Sequence, residues 1–213
     1  MESRRSWKRA SGYTLIELLV VLVIVGILAI ASVQMIGNRP ASAVHAVLDQ
    51  LEGVVAAAHQ GTTSTLGDIT LTATGNWTAA TPATLTYTGI SGPADRFVYT
   101  PTSRDHQYAG IDCGSGWSDT AIASLINVPP FQTDPTFKAA LGANSNLFKP
   151  GNPPAVINGY SKRANQGFYI AVVGLRGGVP VDSGPVGVLV MPAGSGTVYK
   201  FFRSNSAESW RRL

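Results

Sequence analysis

Cysteine is nearly absent. Cys113 stands alone among 213 residues, so no disulfide framework can hold this chain. Charge is scarce as well: Asp, Glu, Lys and Arg make up 13%, about half the share of an ordinary soluble domain. The apolar fraction of 45% and the net charge of +4 exclude disorder throughout. A single long apolar run excludes a multi-span membrane protein. The length suits one ordinary domain or two small ones, and a core needs no staples at this size. Glycine and proline are plentiful, 23 and 13, and many cluster in the second half.

The basic balance is local. Residues 1–12 carry Arg4, Arg5, Lys8 and Arg9 against Glu2, a net +3 that leaves +1 on the rest. A pI near 9.4 therefore reports a basic leader of the kind targeting segments carry, and not a nucleic-acid surface.

Leu18 to Ala31 reads LLVVLVIVGILAIA, without one polar side chain. Taken from Leu15 to Ile36 the run has 22 residues, of which only Glu17, Ser32 and Gln34 are polar. At about 1.5 Å per residue such a helix spans a hydrocarbon core of about 30 Å. The positive-inside rule keeps the basic leader in the cytoplasm and exports the rest. Glu17 is the anomaly, since a carboxylate in hydrocarbon costs a few kcal/mol near the bilayer centre. An interfacial Glu near a helix end that reaches water is the bland reading.

Residues 12–17 read Gly-Tyr-Thr-Leu-Ile-Glu, between the basic leader and the apolar run. This resembles the prepilin signature of type IV pilins and type II secretion pseudopilins, closely over residues 8–36. Tyr13 stands where the family commonly has Phe. Gly26 matches a frequent mid-helix glycine, whereas Gln34 occupies the place of a frequent proline. The resemblance implies that prepilin peptidase cuts between Gly12 and Tyr13. A glycine there suits a narrow subsite. It also implies that the new Tyr13 amine is N-methylated. Glu17 would then face the charged N-terminus of a neighbouring subunit, a pairing that makes a buried carboxylate tolerable and sets axial register.

The implied protein is a structural subunit, not an enzyme, with no catalytic residue and no cofactor. Its implied partners are prepilin peptidase, other pilin or pseudopilin subunits and an assembly platform protein. Its place is the bacterial inner membrane, single-pass with the N-terminus cytoplasmic, and then a filament. Many pilins close a C-terminal loop with a disulfide that Cys113 alone cannot form. That favours a minor pilin or pseudopilin over a major pilin. The rival is a conventional secretory signal: Ala29-Ile30-Ala31 is an acceptable cleavage site, and a cut there releases a soluble exported enzyme or binding protein.

The organisation follows as leader 1–12, membrane and filament-core helix 13–36, amphipathic helix 37–61, and an exported β-rich domain 62–213. Asn38-Arg39-Pro40 interrupts the first pattern. Val44, Val47, Leu48, Leu51, Val54, Val55 and Ala58 then form one helical stripe, which ends near Gly61. Strands are expected at Asp68–Ala73, Ala83–Thr88, Arg96–Thr100, Phe168–Val173, Val186–Met191 and Val198–Arg203, from alternation and from Thr, Val and aromatic content. Ala121–Ile126 and Pro135–Leu141 read as short helices within a loop-like stretch, 104–166. The fold class is α+β in two layers, a long N-terminal helix on a mainly antiparallel sheet, which agrees with the pilin fold.

Other chemistry is sparse. His45, His59 and His106 show no metal-ligand spacing and read as surface or sheet-flanking residues. Gly114-Ser115-Gly116 and Gly194-Ser195-Gly196 do not complete G-x-S-x-G and read as turns. Asp105, Asp112 and Asp119 sit in a Gly/Ser-rich stretch that could offer oxygens to calcium. They match no EF-hand, and Asp is routinely a turn former, so no metal site is assigned. Cys113 reads as buried or tolerated. Lys200, Arg203, Arg211 and Arg212 with Trp210 have the composition of a nucleic-acid contact. So few charges on a tail are commonplace, and nucleic acid is not an expected partner.

Overall fold

The computed structural model describes residues 15–37, 39–75, 83–89, 98–100, 105–143, 145–159 and 166–213, without the side chains of 30–37 and 105–106. The chain divides into two compact units, Met1–Asn38 and Arg39–Leu213.

In the first unit α1 runs over Leu15–Gly37. Residues 15–29 are all exposed, the large apolar ones from 48% at Val20 to 81% at Leu15. Among the described residues no helix is long and apolar enough to cross a membrane.

The second unit opens with α2 (Arg39–Thr65), which buries Val44, Val47, Leu48, Leu51, Val55 and Ala58 along one face. Pro40 sits in the first turn, where its missing N–H breaks no bond. The helix passes Gly61, where the sequence reading ends it. Four hydroxyls of its last turn bond back to the turn before. Thr62 donates to the His59 carbonyl at 2.7 Å, Thr63 to Gln60 at 2.8 Å, and Ser64 and Thr65 to Gly61 at 3.0 and 2.8 Å. These are bonds back to carbonyls inside the helix, which give polar side chains a partner on the helix itself. Leu66 then turns left-handed, φ 55°.

Two antiparallel sheets follow. The smaller has order β2-β1-β4, with β1 at Ile69–Thr74, β2 at Thr84–Thr88 and β4 at Ala155–Ile157. The larger has order β3-β5-β7-β8-β9. Its strands are β3 (Ala109–Ile111), β5 (Phe168–Arg176), β7 (Val186–Met191), β8 (Tyr199–Arg203) and β9 (Arg211–Arg212). A two-residue strand, β6 (Val179–Pro180), folds back on β5. The strand expected at Arg96–Thr100 reduces, within the described residues 98–100, to an isolated bridge between Tyr99 and Leu85.

Strand alternation sends two sets of side chains to opposite faces. Phe168, Ile170, Val172, Leu189, Met191 and Phe202 join the α2 stripe and the small sheet in one core. Tyr169, Ala171, Val173, Leu175, Val186, Val188, Val190 and Phe201 form a second core. That second core is closed by α4 (Asp119–Leu125) and α5 (Pro135–Ala140), through Ile122, Leu125, Phe131, Phe137 and Ala140. The two short helices expected within residues 104–166 thus form, and they add a layer on the sheet's far face beyond the two expected. Phe131 anchors this cover, edge-on to Phe137 at 5.3 Å and to Phe201 at 4.8 Å. The remaining short helix, α3 (Asp105–Tyr108), leads into β3.

Candidate functional site: the N-terminal segment

Gly12 and Tyr13 lie outside the described residues. Glu17 is the third residue of α1, in its first turn, and it is exposed. A carboxylate there lies beside the unsatisfied N–H groups and positive end of the helix dipole. The rest of the described segment, from Leu18 to Ala29, is apolar around its whole circumference. Such a helix cannot be the amphipathic kind that lies on a soluble core; it needs an apolar surround on every side. At Gly26 an added Cβ would meet nothing within 4 Å among the described residues.

The other candidate residues are engaged in holding the globular unit together. Asp112 is 1% exposed and accepts five hydrogen bonds. Oδ1 takes the Gly114 N–H (3.1 Å), the Ser115 N–H (2.9 Å) and the Ser115 hydroxyl (2.7 Å). Oδ2 takes the Ser118 N–H (2.9 Å) and hydroxyl (2.6 Å). Burial pushes the Asp112 carboxyl up, but the bonds from Ser118 and Ser115 outweigh it and hold it below its ordinary value. Asp112 thus organises the Gly114-Ser115-Gly116 turn, where Gly114 has φ +86° and an added Cβ would stand 2.4 Å from Pro150 Cδ. Asp119 is exposed in the first turn of α4, and the Asp105 side chain is outside the description. Among the described residues no group of three His, Cys, Asp or Glu is placed to hold a metal ion.

His45 lies against Phe202, ring centroids 4.1 Å apart, between α2 and the sheet. Burial lowers its pKa from 6.5, against the pull of Asp49 and with the help of Arg211 and Lys200. His59 is half-buried on the same helix, and the side chain of His106 is outside the description. The second glycine-flanked serine, Ser195, closes a turn by donating its N–H to the Pro192 carbonyl at 3.1 Å. Half-buried Cys113 directs its Sγ to the Ile111 carbonyl at 3.4 Å.

The basic C-terminal residues do not gather. Lys200 points to α2 and pairs with Asp49 at 2.5 Å and Glu52 at 2.6 Å. Desolvation opposes its charge, but bonds to those carboxylates raise its pKa overall. Arg203 points to the opposite face and lies over the Trp210 ring at 5.4 Å. Arg211 lies over Phe202 at 6.0 Å and Arg212 over Tyr199 at 4.5 Å. Sequence reasoning missed that Ser124 receives both Arg203 Nη1, at 3.3 Å, and Trp210 Nε1, at 2.9 Å. No local signal links residues so far apart.

Residues 7–33 match the family model described as the prokaryotic N-terminal methylation motif. Searches of curated proteins and of solved structures found no match. The matched segment contains the basic residues Lys8 and Arg9, the Gly12-Tyr13 pair, Glu17 and the uniformly apolar part of α1. The chain thus carries the N-terminal signature of type IV pilins and pseudopilins, on a mixed helix-and-antiparallel-sheet fold consistent with theirs.

Proposed function

We propose that this protein is a structural subunit of an extracytoplasmic filament, either a type IV pilus or a type II secretion pseudopilus, and not an enzyme. It is stored in the bacterial inner membrane through residues 13–36, with its N-terminus in the cytoplasm. Prepilin peptidase cuts after Gly12, and Tyr13 is then methylated. The subunit joins others of its kind through α1, with an assembly platform protein extracting it from the membrane. A lone Cys113 favours a minor pilin or pseudopilin.

The observation that carries this reading is the exposure of every residue from 15 to 29 directly after the Gly-Tyr pair. Burying a Leu, Ile or Val side chain is worth about 1.5–3 kcal/mol. A row of them left bare therefore demands lipid or neighbouring apolar helices. Both are satisfied in turn if the segment first spans a bilayer and then packs in a filament.

The test is Gly12→Val. A larger side chain should crowd the peptidase subsite, so full-length precursor should accumulate in the inner membrane. Mature protein of normal size from this variant would overturn the reading.

A further inference from the structure

Arg203 is 9% exposed, a buried cation on the sheet face away from α2. Among the described residues it forms no ion pair. Among the described residues its one hydrogen bond is from Nη1 to the Ser124 hydroxyl, and its Nε is buried with no partner among them. A guanidinium has five N–H donors, so most of its capacity is unspent. Trp210 covers one side of it. Burying an arginine in this state costs free energy that a well-placed anion would return. Burial also pulls its pKa below the ordinary value, the direction expected of a cation without a counter-charge.

Arg203 lines a recess of about 230 Å³ together with Trp117, Thr120, Asp182, Ser183 and Ser206. Trp117 is 46% exposed at this recess, a large indole left in solvent. Ser183 is held in the left-handed region, φ 53°, and its carbonyl accepts the Ser206 N–H at 3.1 Å. That bond ties together the two loops that form one wall. Arginine and tryptophan are among the residue types that most often carry binding energy where proteins meet, and here both line one recess.

The geometry points to a binding site for a single carboxylate in this recess, supplied by the acidic side chain of a second polypeptide. The carboxylate pairs with Arg203, hydroxyls line its surroundings, and the flanking peptide lies on Trp117. One guanidinium neutralises one carboxylate and offers it a planar two-pronged fork. A dianion such as phosphate is a poor match, because the recess holds one cation and Asp182 adds a like charge.

The test uses the full-length chain in detergent micelles and saturation-transfer NMR with three probes: acetate, the tripeptide Gly-Glu-Gly and inorganic phosphate. Transfer to the glutamate methylenes of the tripeptide is expected, at a Kd of about 1 mM or tighter, with weaker transfer to acetate. Phosphate should displace the tripeptide poorly. Arg203→Met should weaken tripeptide binding by about thirtyfold or more, as losing one partner of a buried charge pair does. Trp117→Ala, at an exposed position, should weaken the tripeptide and leave acetate unchanged. Equal binding of acetate and tripeptide would overturn the polypeptide source. No transfer to either carboxylate, phosphate displacing both, or full tripeptide binding by a folded Arg203→Met chain would overturn the site itself.

Discussion

A Cβ placed on Gly187 would stand 2.5 Å from Leu48 Cδ1, and 2.7 Å from Val44 Cγ1. The glycine lies on β7, paired with Val172 on one side and Phe202 on the other, directly beneath α2. Its missing side chain is what lets the buried stripe of α2 settle onto the central strands. Gly187→Ala should therefore force the helix or its side chains outward and destabilise the globular unit by about 1–3 kcal/mol. Chemical denaturation of the purified chain in detergent checks this. A midpoint unchanged from wild type would mean that the close approach is not needed.

Asp112 gives a pH-dependent prediction. Its folded carboxyl titrates below the ordinary value of 3.8. The stability it contributes is thus fully present above the unfolded pKa and is lost as pH falls through the folded one. Asp112→Ala leaves five donors without their acceptor and should cost about 3 kcal/mol or more at neutral pH. The same variant should lose less stability than wild type on acidification below pH 3.8. Denaturation midpoints across that range check both statements. Parallel acid profiles for variant and wild type would remove Asp112 as the cause.

Much of this architecture is legible in the residues. The α2 stripe was readable because Val44 through Ala58 recur at helical spacing. The central strands were readable because β-branched and aromatic residues cluster between turn formers. The cover on the far face was not assigned, although a signal existed. Phe168–Leu175 and Val186–Met191 are continuous apolar runs without polar alternation, the mark of strands covered on both faces. Strands β3 and β4 have three residues each, too few to show a period. Gly61 misled because glycine is tolerated inside a helix at a cost of about 1 kcal/mol, and the residues that continue α2 past it, Thr62–Thr65, carry no apolar side chains to reveal a stripe.

The two kinds of site differ in the same way. The cleavage and methylation motif is linear, so adjacency in sequence is its whole content. The Arg203 recess is assembled from residues that the fold alone brings together: Arg203 meets Ser124 across 79 positions. Alternation along β8 also divides what composition suggested was one basic cluster, sending Lys200 to α2 and Arg203 away from it.

Glu17 separates membrane storage from assembly. Its carboxylate is the one side chain of residues 15–29 that disfavours lipid, and such local violations mark function. Glu17→Leu should leave insertion and cleavage after Gly12 intact while reducing entry into filaments. Glu17→Gln keeps the size and removes the charge, and should show the same loss if charge pairing with the Tyr13 amine sets register. The mature subunit in sheared filaments, measured against the membrane pool, reads both. Wild-type recovery of both variants would leave Glu17 as an interfacial residue with no part in assembly.

Where the mature chain begins decides between a filament subunit and a released exported protein, and intact mass with N-terminal fragmentation of the membrane-extracted protein measures that. A filament subunit should start at Tyr13 with one methyl group on its amine and retain all of α1. A chain starting at Ser32, with the apolar helix removed, would contradict that role.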